Sequence, residues 1–493
     1  MSKPLVLAID QGTSSTKCLL VDERGEVIAR GQAPLSEHHP APGHVEQDAE
    51  EIWNSVRAAV AQGVSTEQAR SVVAVAFSTQ RESCVIWDRK SGAPLTPVLS
   101  WQDQRTSSLC MEMGAPDLLR EVRARSGLPL DPMFSALKAR WLLDRLDPDR
   151  LRAKSGEICV GTVDSWLLSR FGGAHLIEAG NASRTQLLDV RRAAWDATLL
   201  ELFHVPAACL PEVVASTGPF PAVRGLAPLP DGVPIRAVMA DSHAALFGHG
   251  AVMPGQFKAT HGTGSSVMGL IAEGTELDPG LCLTIAWSID GVALAAEGNI
   301  RAAGATLRWV AGLLGVSTDE LAALAADADN GGVSLVPAFN GLGAPWWDAK
   351  AVGLLTGLTL GSSRAQIARA ALESIAHQVA DVIEAVDRSG TSVSRLFVDG
   401  GPTRNDGLMQ LEADLLDRPI LRSRTTELSA LGAAHLAGLA AGIWTKGTLA
   451  SLSREHEAFA SAMPDAARQR ERAVWRRAIA RSRWPGQETS RAH

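Results

Sequence analysis

The sequence predicts an α/β protein of two duplicated domains with a deep cleft between them, and three observations lead there. At 493 residues the chain is too long for one ordinary core of roughly 100–200 residues. Its opening apolar run, Leu5 to Ile9, closes on Asp10 and a turn containing Gly12. The same device returns later, with Leu396-Phe-Val398 running into Asp399-Gly400-Gly401. No low-complexity linker separates the halves. The expected division, residues 1–245 and 246–493, rests on the repeat alone.

Taken in order, Leu5–Ile9, Lys17–Val21 and Glu26–Arg30 read as a strand–turn–strand–turn–strand meander, with glycines where φ must turn positive. Val72–Phe77 is a buried-type strand, and Cys84–Trp87 with its Ser91-Gly92 turn is a hairpin candidate. A second cycle is expected to begin at Ile235–Ala240, an apolar strand delivered into Asp241. Lys258–Ile271 then repeats strand, turn and strand around His261-Gly-Thr-Gly264. The spacing of Ile367, Ala371, Ile375, Val379, Val382 and Val386 predicts a long amphipathic helix. The Arg-rich stretch from Arg468 to Arg491, with Trp475 and Trp484, reads as a solvated terminal helix rather than a nucleic-acid tail.

Composition narrows the partners. Hydrophobic residues make up 46% and charged residues 20%, and the net charge of -7 offers no general attraction to nucleic acid or an anionic membrane. No apolar run approaches the ~20 residues that cross a bilayer. Six dispersed cysteines suggest neither a zinc site nor a disulfide framework, and Asn181-Ala-Ser183 is read as a chance match to a glycosylation acceptor. A cytoplasmic protein acting on a small molecule is the expectation.

The chemistry is sought at the glycine-rich strand ends, where several backbone N–H groups can converge on one phosphate. Asp10-Gln-Gly-Thr13-Ser14-Ser15-Thr16-Lys17 adds hydroxyls, a cation and a carboxylate suited to hydrated Mg²⁺. By itself it reads more readily as an ordinary polar hairpin turn, as do His261–Ser265 and Asp399–Gly401; it is three such turns at strand ends in one chain that point to phosphate. Neither a Walker A pattern nor G-x-G-x-x-G follows the first strand, so a P-loop and a dinucleotide fold are poor readings. Asp241 is either a helix N-cap or a carboxylate facing a crevice, able to accept a proton from a substrate hydroxyl. With no Gly-x-Ser-x-Gly at Ser242, a hydrolase is the weaker reading. Arg81-Glu82 pairs a donor with an acceptor, as a polyol requires or as any surface ion pair would. Trp101 offers an apolar wall or a core residue.

At these residues the chain resembles the FGGY carbohydrate kinases, closest to glycerol kinase, over essentially its whole length. The resemblance rests on Asp10–Thr13, Gly43-His-Val-Glu-Gln-Asp48, Gln80-Arg-Glu82, Trp101-Gln-Asp103, Gly127–Pro132 and Asn181-Ala-Ser-Arg-Thr185. It continues through Val336–Phe339, Gly341–Pro345, Asp399–Gly401 and Ala430–Ala434. The second family signature is complete from Gly353 to Glu373. The first keeps Ser135, Lys138, Trp141 and Asp144 but departs at Ala139 and Arg145.

This resemblance implies an actin-like, ribonuclease-H-like fold, ATP and Mg²⁺ as cofactors, a polyol or sugar acceptor, and a dimer or tetramer. It places Asp10 at the metal and Asp241 as general base. Thr13, Ser14, Ser15 and Lys17 fall at the phosphates, and Thr263, Gly304, Arg308, Gly401 and Asn405 at the remaining nucleotide positions. Arg308 stands where glycerol kinases carry glutamine. Arg81, Glu82, Trp101, Met133, Asp241, Ser242 and Ser266 fall at acceptor positions. Met133 replaces a tyrosine and Ser266 a phenylalanine, so a hydroxyl and an aromatic wall are lost. A four- or five-carbon acceptor is therefore expected as readily as glycerol. No Gly-Gly-x-Arg effector loop is found from Thr217 to Ile235. The alternatives are a pentulose kinase and, more distantly, an actin-like ATPase switch lacking an acceptor.

Overall fold

The computed structural model describes residues 3–483. By its contacts the chain forms two compact units. One comprises residues 3–250, 283–295 and 427–453; the other comprises residues 251–282, 296–426 and 454–483.

In the first unit the strands β1 (Leu5–Gln11), β2 (Ser15–Val21), β3 (Val27–Pro34), β4 (Val72–Thr79) and β5 (Ile235–Ala240) form one sheet in the order β5-β4-β1-β2-β3. The β1–β2 and β2–β3 pairs are antiparallel, while β4 lies parallel to both β1 and β5. Every residue of β1 except Asp10 is buried, as a continuous apolar run at a sheet centre requires. Helix α1 (Ala49–Gly63) covers one face with Ile52, Trp53, Val56 and Val60. Each such side chain contributes roughly 1.5–3 kcal/mol by leaving water. Asp48 caps this helix by accepting from the Glu50 and Glu51 amides at 2.7 and 3.0 Å. A second apolar cluster gathers helix α2 (Ser135–Leu146) with Ile86, Ile158, Val160 and Phe203.

Strand β5, read as the start of a second strand cycle though placed before the division at 245, closes the first sheet, because its parallel register with β4 (Val238 opposite Phe77) buries an apolar run on both sides. Helix α3 (Asp241–Gly248) follows directly and packs on helix Leu428–Ala440. There a Cβ on Gly432 would lie 1.8 Å from the Ala244 carbonyl, so only glycine permits this approach. The Ser91-Gly92 turn does fold back, with Leu95 donating to the Ile86 carbonyl at 2.8 Å. The strand partner of Val85–Asp88, however, is the distant segment Ile158–Gly161.

The second unit carries β6 (Phe257–His261), β7 (Ser265–Leu270), β8 (Leu396–Gly400), β9 (Ile420–Ser423) and β10 (His456–Phe459). Its sheet runs β7-β6-β8-β9-β10, and the strand Val292–Ile300, of which residues 296–300 belong to this unit, neighbours β7. An antiparallel β6–β7 hairpin beside a parallel β8 repeats the arrangement of β1, β2 and β4. Helix α4 (Gly304–Leu314) follows the strand Val292–Ile300. The predicted long helix is α5 (Arg364–Arg388), opened by a Ser363/Gln366 capping box. Helix α6 (Asp406–Leu416) follows β8.

The terminal helix α7 (Asp465–Ser482) is not solvated as expected. Trp475 is buried and stacks on His377, and its indole N–H donates to Asp381 Oδ2 at 2.8 Å. Arg472 reaches Asp381 at 2.5 Å and Glu384 at 3.0 Å. The arginine run had masked one apolar stripe, since a long guanidinium stem can be buried once its head is paired. Residues 484–491 of that stretch, including Trp484, lie outside the described residues. No disulfide joins any of the six cysteines. Among the described residues no single helix is long and apolar enough to cross a membrane.

Candidate active site

In the first unit the turn Gly12–Ser14 is held from below by an amide network. Gln80 Nε2 donates to Gln11 Oε1 at 3.1 Å and to Gln47 Oε1 at 2.9 Å, while Gln47 Nε2 donates to the Thr13 carbonyl at 2.6 Å. The Gly12 amide closes the turn on the Ser15 carbonyl at 3.0 Å, and the Ser14 carbonyl accepts from Leu35. Ser14 is exposed and Ser15 half-buried. Trp101 was expected as an apolar wall, yet its indole N–H donates to Thr13 Oγ1 at 3.0 Å. It therefore joins an expected acceptor residue to the expected phosphate turn.

Asp10 lies at the end of β1 opposite Lys17 of β2. Burial pushes its carboxyl up to about 6, and Asp241 pushes the same way; the Ser78 hydroxyl and Lys17 oppose them, and Glu427 adds a small upward push. One carboxylate oxygen, Oδ1, is buried without a hydrogen-bond partner. A carboxylate in that condition suits a cation, and one carboxylate completed by water and phosphate oxygens is a normal Mg²⁺ donor set.

Of the residues expected at the acceptor, Arg81, Glu82 and Asp241 come together. Arg81 Nε lies 3.2 Å from Asp241 Oδ1 and 3.8 Å from Glu82 Oε1. Glu82 has φ 62°, a strained setting for a non-glycine residue, and Ser135 Oγ donates to its carbonyl at 3.0 Å. Its carboxylate is gripped by the fully buried Arg184, Nε to Oε1 2.7 Å. Asp241 is the first residue of α3, with Ala240 rather than Asp241 as its N-cap, and its Oδ1 accepts from the Ser242 amide at 2.6 Å. Met133 belongs to the loop before α2, its amide donating to Asp131 Oδ1 at 2.9 Å.

In the second unit the β6–β7 turn meets the start of α4. Gly304 donates to the Gly262 carbonyl at 3.0 Å, and Ala303 and Ala305 donate to the Thr263 carbonyl at 2.9 and 3.0 Å. A Cβ at Gly304 would lie 2.6 Å from the Gly262 carbonyl and 3.4 Å from Pro402, so Gly401-Pro402 adjoins the same point. Asn405 caps α6, its Oδ1 accepting from Leu408 at 2.9 Å. Arg308 extends an Nη2 to Thr263 Oγ1 at 3.4 Å. Thr263, Gly304, Arg308 and Gly401 thus cluster, with Asn405 one short turn beyond. Ser266, on β7, donates to the buried Glu297 at 2.8 Å, and Asn299 donates to the same oxygen at 3.0 Å.

Gln47, Gln80, Lys138 and Arg184 lie in stretches that carry the family resemblance, yet no role for them is legible in the sequence. Only Lys138, set among Ala136, Leu137, Ala139 and Trp141, carried a local signal; Gln47, Gln80 and Arg184 lie in polar stretches that hide them. Nothing in the sequence singled out Glu297 or Glu427.

Two sheets built on one plan, each a hairpin with a parallel strand on its inner flank, define the actin-like class of fold. Comparison with known proteins makes this particular. Residues 5–248 match the N-terminal domain of the FGGY family of carbohydrate kinases, and residues 257–441 match its C-terminal domain. An apulose kinase of Pectobacterium atrosepticum is 44% identical over 491 residues, covering 98% of this chain and 99% of that protein. A glycerol kinase of Dechloromonas aromatica is 43% identical over 493 residues, covering 98% of each. The structure of Plasmodium falciparum glycerol kinase with ADP superposes with a TM-score of 0.90 at 29% identity, covering 97% of this chain and 98% of that one. The chain belongs to the FGGY family and is an ATP-dependent kinase of a small polyol or sugar.

Proposed function

We propose that the enzyme transfers the ATP γ-phosphoryl group to a terminal hydroxyl of glycerol or of a four- or five-carbon polyol or sugar, with Asp241 as general base. The observation that carries this reading is the Arg81–Asp241 contact at 3.2 Å beside the Glu82–Arg184 pair at 2.7 Å. Arg81 lies against the Asp241 carboxylate and fixes its position. Glu82 and Arg81 together offer the acceptors and donors that vicinal hydroxyls need.

Phosphoryl transfer has a loose transition state, so positioning and charge neutralisation matter more than a strong base. Asp10 is the residue that would hold Mg²⁺, which supplies neutralisation of phosphate charge when bound. Thr13, Ser14, Ser15 and Lys17 serve the phosphates, and Asp241 orients the hydroxyl and takes its proton. Thr263, Gly304, Gly401 and Asn405 are the nucleotide side of the second unit, with Arg308 at its rim. Met133 and Ser266 replace the tyrosine and phenylalanine of glycerol kinases, and that loosens the hold on a three-carbon molecule and leaves room for a longer one. Assembly as a dimer or tetramer in the cytoplasm accompanies this reading.

The test is an ADP-release assay with Mg-ATP across glycerol, erythritol, threitol, the pentitols, the common pentuloses and apulose, comparing kcat/KM. Preference for a longer acceptor supports the pocket reading, and preference for glycerol overturns it. Asp241→Asn should lower kcat on the best acceptor by about 10²–10⁴-fold while ATP binding stays near wild type. Near-wild-type turnover in this variant removes Asp241 from the mechanism.

A further inference from the structure

Lys138 is fully buried on the first turn of α2, and its ammonium folds back toward the start of its own helix. It donates to the carbonyls of Pro132 at 2.8 Å and Phe134 at 3.4 Å, and to that of Met133. This is an unfavourable end of a helix for a cation, since macrodipoles favour anions there. Three carboxylates offset the cost: Glu82, Asp103 and Asp131 all act on Lys138 and favour its charge, as does the Cys84 thiolate form, though burial holds that thiol up at about 12. Burial nonetheless pulls the lysine down to about 8.

The loop it grips is tied on its other flank to the acceptor residues. Arg184, which holds Glu82, lies over the Phe134 ring at 5.1 Å, and Ser135 donates to the Glu82 carbonyl at 3.0 Å. One ammonium therefore fixes the backbone of Met133 and faces the carboxylate of Glu82. No polar side chain of Met133 itself can set the loop, because thioether contacts are weak and adaptable.

We propose that Lys138 is the positioning residue of the acceptor loop, and that its ammonium sets acceptor affinity by clamping the Pro132–Phe134 carbonyls. The inference rests on the reading of Glu82 and Met133 as acceptor residues. Deprotonation leaves two N–H donors for three carbonyls and removes the charge facing Glu82, Asp103 and Asp131. Acceptor affinity should then fall as pH rises through about 8 while ATP affinity does not.

The experiment measures KM for the best acceptor of the panel and for ATP, from pH 7 to 9.5, in wild type, Lys138→Met, Lys138→Arg and Glu82→Gln. Leaving buried carbonyls unpaired should raise the acceptor KM of Lys138→Met about tenfold, with ATP KM little changed. Wild-type acceptor KM should climb above about pH 8. Lys138→Arg, which does not titrate in this range, should stay flat. A flat wild-type profile, or equal rises in both KM values in Lys138→Met, overturns the proposal. If Lys138→Met does not fold, the wild-type profile against Lys138→Arg decides alone. Glu82→Gln separates the two levels. Unchanged acceptor KM there defeats the site reading itself, whereas a raised value with a flat lysine profile defeats only the role of Lys138.

Discussion

The β1–β2 and β6–β7 hairpins are built alike and charged differently. Each is antiparallel, each has a parallel strand on its inner flank, and each turns through glycine and threonine. Aligning Gly12 with Gly262 sets Asp10 against Thr260 and Gln11 against His261. In the first hairpin the acid has a buried oxygen without a partner. In the second, Thr260 donates to Asp399 at 2.9 Å and accepts from Lys258 at 2.9 Å, while His261 Nε2 lies 3.1 Å from Glu412 Oε1. The first copy leaves charge unsatisfied where a ligand can complete it. The second spends its charges on holding a turn.

The largest break in this comparison is Asp10→Asn, which makes the first turn as uncharged at that position as the second. Losing charge neutralisation at the phosphates should cut kcat by about 10³-fold or more, with folding unharmed, because a partnerless buried carboxylate is no help to stability. Steady-state kinetics over a Mg²⁺ titration, with a melting curve alongside, checks both halves. A normal kcat, or a loss of folding equal to the loss of rate, would set Asp10 among structural residues.

The second break falls on His261, and it should appear first in stability. Burial alone would push the imidazole down, but Glu412, helped by Asp399, holds it above its ordinary value against Lys258. A histidine raised in the folded state contributes stability that is full below its unfolded value of about 6.5 and is lost as pH rises through the folded value. His261→Gln leaves Glu412 buried with no cation facing it, at a cost of about 3–5 kcal/mol. Adding Glu412→Gln should recover much of that loss and flatten the melting temperature above pH 6.5. Thermal melts of the three proteins across pH make the comparison. A pH-independent wild type would mean the pair is neutral and the turn is held by Ser265, which sits 2.8 Å from His261 Nδ1.

How much of this was legible follows from range along the chain. The β1–β2 and β6–β7 hairpins, their strand ends and α5 are written locally, as apolar runs, glycines and 3.6-residue spacing, and they form where expected, whereas Val85–Asp88 finds its strand partner far along the chain. Strand β5 was legible as a strand but its pairing with β4 was not, because periodicity says where a strand is, not which strand it joins. Asp10, Arg81, Glu82 and Asp241 were legible as types at strand ends. Arg184, 102 residues from Glu82, and Glu412, far from His261, were not, because only tertiary contact creates their partnership. The amide network of Gln11, Gln47 and Gln80 is hidden for the same reason.

The smallest expected effect sharpens the comparison at its rim. Arg308 occupies a position where the family resemblance expects glutamine, and its guanidinium meets Thr263 only at 3.4 Å in an exposed setting. Exposed contacts of a long, mobile side chain are worth about 0–1 kcal/mol. The Thr263 turn, by contrast, is fixed by three backbone hydrogen bonds to the start of α4, which no side-chain change at 308 removes. Arg308→Gln should therefore shift ATP KM by no more than about fivefold and leave kcat and melting unchanged. Whatever shift remains should shrink as ionic strength rises, since an exposed charge acting on phosphate is screened over about 10 Å at 0.1 M salt. A larger, salt-insensitive loss would mean that Arg308 is drawn into the nucleotide site as a paired group. The second hairpin would then present a working charge after all, and the two copies would differ less than their resting structures indicate.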